Sequence, residues 1–302
     1  MSDKYAVIHA HRVEFPITLM CRVLAVSCAG FYASRTRITS ARAHEEEQLR
    51  VLVRSAFVQA RKHYGAPRIT AQLRTQGVPV AKKRVARLMR EDGLIARRKR
   101  RFVVTTDSAH TQPIAPNTLA RDFAVEPTRA LNTVWVSDVT FIPTAMGWLY
   151  LAIVLDLAIV LDLASRRVVG WATSAWNDTA LVLLALQRAI ASRNPPPGWL
   201  HHSDRGSPYA SVAYGACVAT HGGTMSMSRT GNCWDNAVAE SFFATVEWEL
   251  LDDTHFSTHG AATRGLTDFI DGWYNGTRLH SSLDYRTPVA FEQDLLRATR
   301  TA

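Results

Sequence analysis

Three acidic residues occupy places where an acid has no ordinary reason to be. Asp138 lies inside an apolar, β-branched run, Trp135-Val136-Ser137-Asp138-Val139-Thr140-Phe141. Asp204 follows a short buried-strand pattern in His201-His202-Ser203-Asp204-Arg205-Gly206, and Glu240 sits in Ala237-Val238-Ala239-Glu240-Ser241-Phe242-Phe243. A carboxylate in such company is costly to bury unless a cation partner or a metal ion offsets it. Carboxylates converging from a strand, a strand end and a helix would form an all-oxygen site for Mg²⁺ or Mn²⁺. Two such ions about 4 Å apart activate a water or a 3′-hydroxyl and stabilise the leaving oxygen of a phosphodiester. Taken singly, each acid is more simply a cap or the partner of an arginine. Only their conjunction points to chemistry.

The elements that must position these acids differ in character along the chain. The 302 residues are 47% hydrophobic and 20% charged, which excludes wholesale disorder. Lys+Arg number 35 against 26 Asp+Glu, a formal charge of +9 that is unevenly spread. Residues 1–101 carry 22 basic and 7 acidic residues, whereas residues 102–302 carry 13 basic residues, all Arg, and 19 acidic ones. A basic front joined to an acidic back implies polyanion binding by the first part and different work by the second. The cysteines, Cys21, Cys28, Cys217 and Cys233, form no C-x-x-C pair and no disulfide framework. No leader peptide is visible, and the most apolar stretch, Leu149 to Ala164, is too short and too charged to span a bilayer. The expectation is a bacterial cytoplasmic protein with no membrane partner.

Residues 1–42 form an N-terminal segment in which Ile17 to Tyr32 has the spacing of a small helix pair. From Ala43 to His63, Leu49, Leu52, Val53, Ala56, Phe57 and Ala60 recur at threes and fours and predict an amphipathic helix. Tyr64-Gly65-Ala66-Pro67 stops it. A short helix is expected over Arg68–Thr75 and a third from about Pro79 to Asp92. The third would turn Val80, Val85, Leu88 and Met89 inward and Lys82, Lys83, Arg84, Arg87 and Arg90 outward. Three short helices ending on a basic one fit a helix-turn-helix module over 43–101. An ordinary three-helix bundle with a solvated face is the plain alternative. The run Arg97-Arg98-Lys99-Arg100-Arg101 favours DNA, because clustered like charge repels itself unless phosphates neutralise it.

Residues 102–128, rich in Thr, Ser, Pro and Ala, read as a linker. Strand patterns follow at Val134–Ile142, Trp148–Leu163 and Arg167–Ser174, with a turn at Ser165-Arg166. A helix over Thr179–Ser192 precedes a short strand at Trp199–Ser203, a helix at Tyr209–Thr220 and a strand at Thr224–Ser228. Helices over Asp235–Leu251, with Asp235 as N-cap, and Thr263–Tyr274 complete a mixed α/β sheet with flanking helices, core 129–292 and tail 293–302.

Between Asp204 and Glu240 lie 35 residues. This is the D-D-35-E spacing of retroviral-integrase-like transposases. The surrounding words Val134 to Pro143, His202-Ser203-Asp204-Arg205-Gly206-Ser207, Ser226-Met227-Ser228-Arg229, Gly231 to Ala237 and Glu240-Ser241-Phe242-Phe243 resemble the OrfB transposase of the two-frame bacterial insertion sequences, the IS-three family. Tyr64 to Ile69 and Lys83 to Met89 resemble its helix-turn-helix, and Tyr274-Asn275 through Arg278, His280, Ser281, Leu283 and Pro288 its C-terminal portion. The likeness runs from about Phe15 to Glu292. It implies an RNase H-like core and Mg²⁺-dependent cleavage at element ends. Strand transfer by the freed 3′-hydroxyl comes next, with Asp138, Asp204 and Glu240 as ligands of two Mg²⁺ or Mn²⁺ ions. The implied partners are the element's terminal inverted repeats and target DNA, an OrfA protein or an OrfA–OrfB fusion, and further copies of the chain on DNA, with work at the nucleoid. Candidate DNA contacts are Lys82, Lys83, Arg84, Arg87, Arg97, Arg98, Lys99, Arg100, Arg101, Arg205, Arg229, Arg278 and His280. His202 is either near substrate or a packing residue. Trp234 and Asn236 are expected to shape their loop, and Gly206 and Gly231 to allow tight turns.

The chain departs from that family in three places. Leu151-Ala152-Ile153-Val154-Leu155-Asp156 is repeated at once as residues 157–162, an in-frame tandem duplication of six residues. Glu247 stands where many family members have a Lys, and Pro208 replaces a commoner polar residue. These departures make the rival reading a helix-turn-helix DNA-binding protein with a disabled transposase core.

Overall fold

The computed structural model describes residues 2–36, 41–97, 112–120, 131–156, 165–229 and 233–301. The chain divides into two compact units, Met1–Ala56 and Phe57–Ala302. In the first, α1 (Ser2–Ala10), α2 (Ile17–Val23) and α3 (Cys28–Thr36) bury Ile8, Cys21 and Phe31 against one another. This is the helix pair expected from Ile17–Tyr32, with one more helix before it. Helix α4 (Ala41–Gln59) begins here and ends in the second unit. No single helix among the described residues is long and apolar enough to cross a membrane.

In the second unit, α5 (Ala66–Thr75) starts with a proline in its first turn, where the missing N–H costs no hydrogen bond. Helix α6 (Lys82–Glu91) starts later than the expected Pro79. Ala81 is extended, and the carbonyl of buried Val80 accepts Arg74 Nε at 3.0 Å instead of a helical N–H. Val80, Val85, Leu88 and Met89 are buried, and Lys82, Lys83 and Arg90 are exposed, as the spacing requires.

The turn between α4 and α5 rests on the C-terminal part of the same unit. The Tyr64 hydroxyl accepts the Leu279 N–H at 2.7 Å, the His63 ring packs edge-on against Trp248 at 4.8 Å, and Arg61 lies over the Trp273 ring at 5.2 Å. Residues 112–120 of the linker region are also tied down. Leu119 enters the core, Asn117 Nδ2 donates to Asp235 Oδ2 at 2.9 Å, and the N–H groups of Thr118 and Leu119 donate to Ser226 Oγ.

Strands β1 (Val134–Thr144), β2 (Gly147–Asp156), β3 (Val168–Ser174), β4 (Leu200–Ser203) and β5 (Thr224–Met227) form one mixed sheet in the order β3-β2-β1-β4-β5. The first three are antiparallel neighbours, and β4 and β5 run parallel to β1. Alternation on β1 sends Val134 and Val136 to one face and Trp135 to the other. The Trp135 face is covered by α7 (Thr179–Arg193), α8 (Ser207–Ala210) and α9 (Val212–Thr220). The Val136 face is covered by α10 (Ala237–Val246) and α11 (His259–Thr267). Gly170 lets α7 lie directly on β3, since a Cβ there would stand 2.5 Å from the Ala185 carbonyl oxygen. Helix α12 (Pro288–Thr301) brings Glu292 to Ser165, Arg167 and Arg193, and the Asn275 amide clamps both backbone groups of Val168 at 3.0 Å. A mixed sheet with flanking helices, preceded by a helical region, is thus the observed architecture.

Three expectations are corrected. The helix expected over Tyr209–Thr220 breaks at Ser211, whose extended backbone and hydroxyl cap α9 through Tyr214 N. Asp235 does not cap α10. It lies in a tighter turn, Cys233–Asn236, and takes the Arg229 guanidinium at 2.8 Å, because an arginine held in two-pronged contact outcompetes a lone helix N–H. The helices continue as widened turns over Glu247–Leu251 and Asp268–Tyr274.

The first copy of the duplicated hexapeptide forms part of β2. Leu151 pairs with Thr140 and Thr173, and Asp156 with Trp135, with a register shift against β3 between Val154 and Leu155. The second copy, residues 157–162, lies outside the described residues.

Candidate active site

Asp138 shares the strand parity of Val134 and Val136, so its carboxyl belongs to the face that α10 covers. Its backbone lies one step beyond Ser137, which pairs with Ser203 on β4, so Asp204 comes alongside at the end of the parallel ladder. Glu240 rides in the first turn of α10. All three acids are half-buried. Burial, then the neighbouring Asp204 charge and more weakly Glu240, push the Asp138 carboxyl well above the usual range, against the lowering effect of the Val139 N–H at 2.9 Å. Burial also raises Glu240. Among the described residues no lysine or arginine pairs with Asp138, so the charges of Asp204 and Glu240 act on this carboxyl without a protein cation to offset them.

Backbone groups orient Asp204. Its Oδ1 accepts the Gly206 N–H at 3.0 Å, and a Cβ on Gly206 would stand 3.1 Å from that oxygen. Gly206 has an ordinary negative φ of −57°, so a side chain there would crowd the carboxylate rather than strain a turn. Gly231 lies outside the described residues. Pro208 falls in the first turn of α8, a position that suits proline. Next to it stands a residue that periodicity gave no reason to single out. The Tyr209 hydroxyl is buried without a hydrogen-bond partner among the described residues, and burial, Tyr214, Asp138 and Asp204 all push its pKa up.

The histidines beside Asp204 are packing residues. His202 is buried, with Nδ1 2.9 Å from Ser226 Oγ and Nε2 2.9 Å from the Asp235 carbonyl, and burial lowers its pKa to about 4. His201 meets the Tyr214 hydroxyl at 2.9 Å and is lowered by burial to about 3. Asn236 is buried and donates to the Ser137 carbonyl at 3.3 Å, which ties the turn before α10 to β1.

The candidate DNA contacts divide by environment. Lys82 and Lys83 are exposed on α6, whereas Arg84 and Arg87 are half-buried and Arg87 pairs with Glu91 at 2.8 Å. Arg97 pairs with Asp253. Arg98, Lys99, Arg100 and Arg101 lie outside the described residues. Arg205 donates to the Ser228 carbonyl at 2.6 Å, and Arg229 is committed to Asp235. Arg278 and His280 are both buried, far from being surface charges. Arg278 pairs with Glu249 at 2.8 Å. Burial alone would raise Glu249, but the Arg278 charge and hydrogen bonds outweigh it and hold that carboxyl below the usual range.

An all-oxygen set fits a hard divalent ion, and neutralising mutually repelling acids is the task such an ion performs. Among the described residues no three His, Cys, Asp or Glu side chains already stand grouped to hold one.

Comparison with known proteins bears on the same segments. The HTH-like domain family matches residues 43–102, and two integrase core domain families match 128–233 and 221–288. The chain is 38% identical over 292 residues to the transposase InsF for insertion sequence IS3A of Escherichia coli (strain K12), covering 96% of this chain and 98% of that one. It is 38% identical over 274 residues to the insertion element IS600 uncharacterized 31 kDa protein of Shigella sonnei, covering 91% and 97%. Among solved structures, the HTLV-2 integrase catalytic core domain in complex with magnesium is similar at 16% identity and a TM-score of 0.39, over 53% of this chain and 96% of that one.

Proposed function

Since this chain belongs to the insertion-sequence transposases with an integrase core and an HTH-like domain, we propose that it cuts the ends of its own element and joins them to target DNA. The first step is attack by water on a phosphodiester at an element end, which frees a 3′-hydroxyl. That hydroxyl then attacks a second phosphodiester, with no covalent enzyme intermediate. Asp138, Asp204 and Glu240 would hold two Mg²⁺ or Mn²⁺ ions, which when bound supply Lewis-acid activation of the attacking oxygen and neutralise the leaving one. The protein's own part is to hold Asp138 within β1, Asp204 just past β4 and Glu240 on the helix over that face. The Gly206 N–H orients Asp204, and the Val139 N–H orients Asp138. Lys82 and Lys83, with the basic run Arg97–Arg101, would neutralise phosphates and fix the DNA without reading its sequence. The partners of this reading are an OrfA protein or fusion, further copies of the chain on DNA, and the nucleoid as the place of work.

The observation that supports it most is the parallel β1–β4 register that brings Asp138 beside Asp204 on the face covered by α10, the helix that carries Glu240 in its first turn. The six-residue repeat in the sequence at the end of β2 favours the rival, a DNA-binding protein with a disabled core. One experiment separates them. Purified protein is incubated with Mg²⁺ and a duplex ending in the inverted repeats that flank its gene. Nicking that disappears in Asp138→Asn, Asp204→Asn and Glu240→Gln, with binding retained, supports the enzyme. Tight binding with no nicking at any Mg²⁺ or Mn²⁺ concentration establishes the rival.

A further inference from the structure

A cavity of about 200 Å³ opens beside α10, lined by Arg68, Arg166, Arg278, His280, Ser241 and Trp248 among others. Its charge is unbalanced. Three guanidiniums line it, and among the described residues Glu249 is the acid paired with one of them, Arg278. Arg68 stacks on the Tyr64 ring at 5.3 Å, and its pKa is lowered by burial and then by Arg278. Burial, then Arg278, Arg166 and Arg68, hold His280 well below its ordinary pKa, so it stays neutral. Two residues of the lining also have buried donors without an acceptor among the described residues: Arg166 Nε and Trp248 Nε1. Buried donors without partners are uncommon and call for an explanation. Like charges gathered around unmatched N–H groups describe a site short of one anion. Arg166 reaches this place from a left-handed backbone, φ +51°, which a non-glycine residue adopts at a cost.

We propose that this cavity takes a phosphate of the bound DNA, apart from the phosphodiester being cut. The proposal rests on the DNA-cleaving reading above. Ser241 and Thr245 of the lining lie on α10, which also carries Glu240, turned about 100° and 140° around the helix from it at 3.6 residues per turn. The phosphate would therefore be gripped on the helix that carries the third acid. Arg68 belongs to α5, within the HTH-like segment, whereas Arg166 and Arg278 belong to the integrase core. One phosphate would thus be shared by the two DNA-handling parts of the chain. Arginine suits this task because its planar fork matches phosphate oxygens.

The test uses the full chain, a short blunt DNA duplex and inorganic phosphate. Arg166→Gln should weaken duplex binding about tenfold and make the log affinity–log salt slope shallower by about 0.9, the value for one phosphate contact. Arg166→Lys should recover the slope. Inorganic phosphate should raise the melting temperature of the wild type more than that of Arg166→Gln. If Arg166→Gln itself melts well below the wild type, Arg68→Gln replaces it, with the same expectations. Unchanged slope and affinity in the neutral variant would overturn the pocket while leaving the DNA reading standing. Stabilisation by phosphate that needs Arg166, with no change in DNA binding, would assign the pocket to a free anion and also overturn the proposal. A wild type that binds no duplex would remove the DNA reading and this proposal with it.

Discussion

Asp138 stands one residue past Ser137, and the parallel register that pairs Ser137 with Ser203 brings it alongside Asp204 when carried one step further. The two carboxylates are neighbours because two strands run parallel, although 65 residues separate them in the chain. Burial and this neighbour raise the Asp138 carboxyl.

That relationship sets a pH dependence. A carboxyl whose folded pKa is raised binds its proton more tightly in the folded state, so stability falls as pH rises through the window above the ordinary value of about 3.9. Asp138→Asn should therefore melt above the wild type at neutral pH in metal-free buffer, by about 2–4 °C for each kcal/mol relieved. The gap should close as the pH is lowered toward about 4. Added Mg²⁺ should raise the wild-type melting temperature and leave the variant unchanged. Equal melting at neutral pH would mean that the carboxylate carries no such penalty.

Glu249 and Arg278 are a buried ion pair, and Glu249 also accepts Trp273 Nε1 at 3.1 Å. Glu249→Gln keeps the shape and strands the Arg278 charge. Breaking one side of such a pair costs about 3–5 kcal/mol. Urea denaturation should show a loss of that order, and a loss below about 1 kcal/mol would indicate that solvent already screens the pair.

Lys82 and Lys83 are exposed on α6. If each neutralises one phosphate, Lys82→Gln with Lys83→Gln should make the salt slope of DNA binding shallower by about 1.8. Melting should be unaffected, since neither side chain enters the core. These substitutions are cleaner than removing residues 57–97, because Tyr64 and His63 pack on Leu279 and Trp248, and truncation would uncover that surface. An unchanged slope would place the DNA elsewhere.

The first hexapeptide copy already fills the β2 ladder between β1 and β3. Deleting Leu157 to Asp162 gives the same chain as deleting the first copy, so the ladder is kept and only its connection to Val168 shortens. The deletion should raise the melting temperature by shortening the link and removing a competing register. Where the core is competent, it should also increase Mg²⁺-dependent cleavage. A fall in both would mean that the repeat is an integrated part of this sheet.

Much of this was legible along the chain. Strand alternation around Asp138, the 35 residues between Asp204 and Glu240, the amphipathic spacing of α4 to α6 and the charge split are local or periodic patterns, and periodicity alone dictates which face a side chain takes. Pairing is different, because it is settled by which segments meet. Asp235 reads as a helix cap until Arg229 and Asn117 are seen to claim it. Arg278 reads as a surface contact until Glu249, 29 residues earlier, is found beneath it. Arg68 and Arg166 carry no shared local signal, since they lie on segments that only the folded chain brings to one cavity. Sequence determined the elements and the acids, through side-chain period and hydrophobicity. Tertiary structure decided which charges are spent on one another and which stay exposed, because a charge's fate depends on neighbours that are remote along the chain.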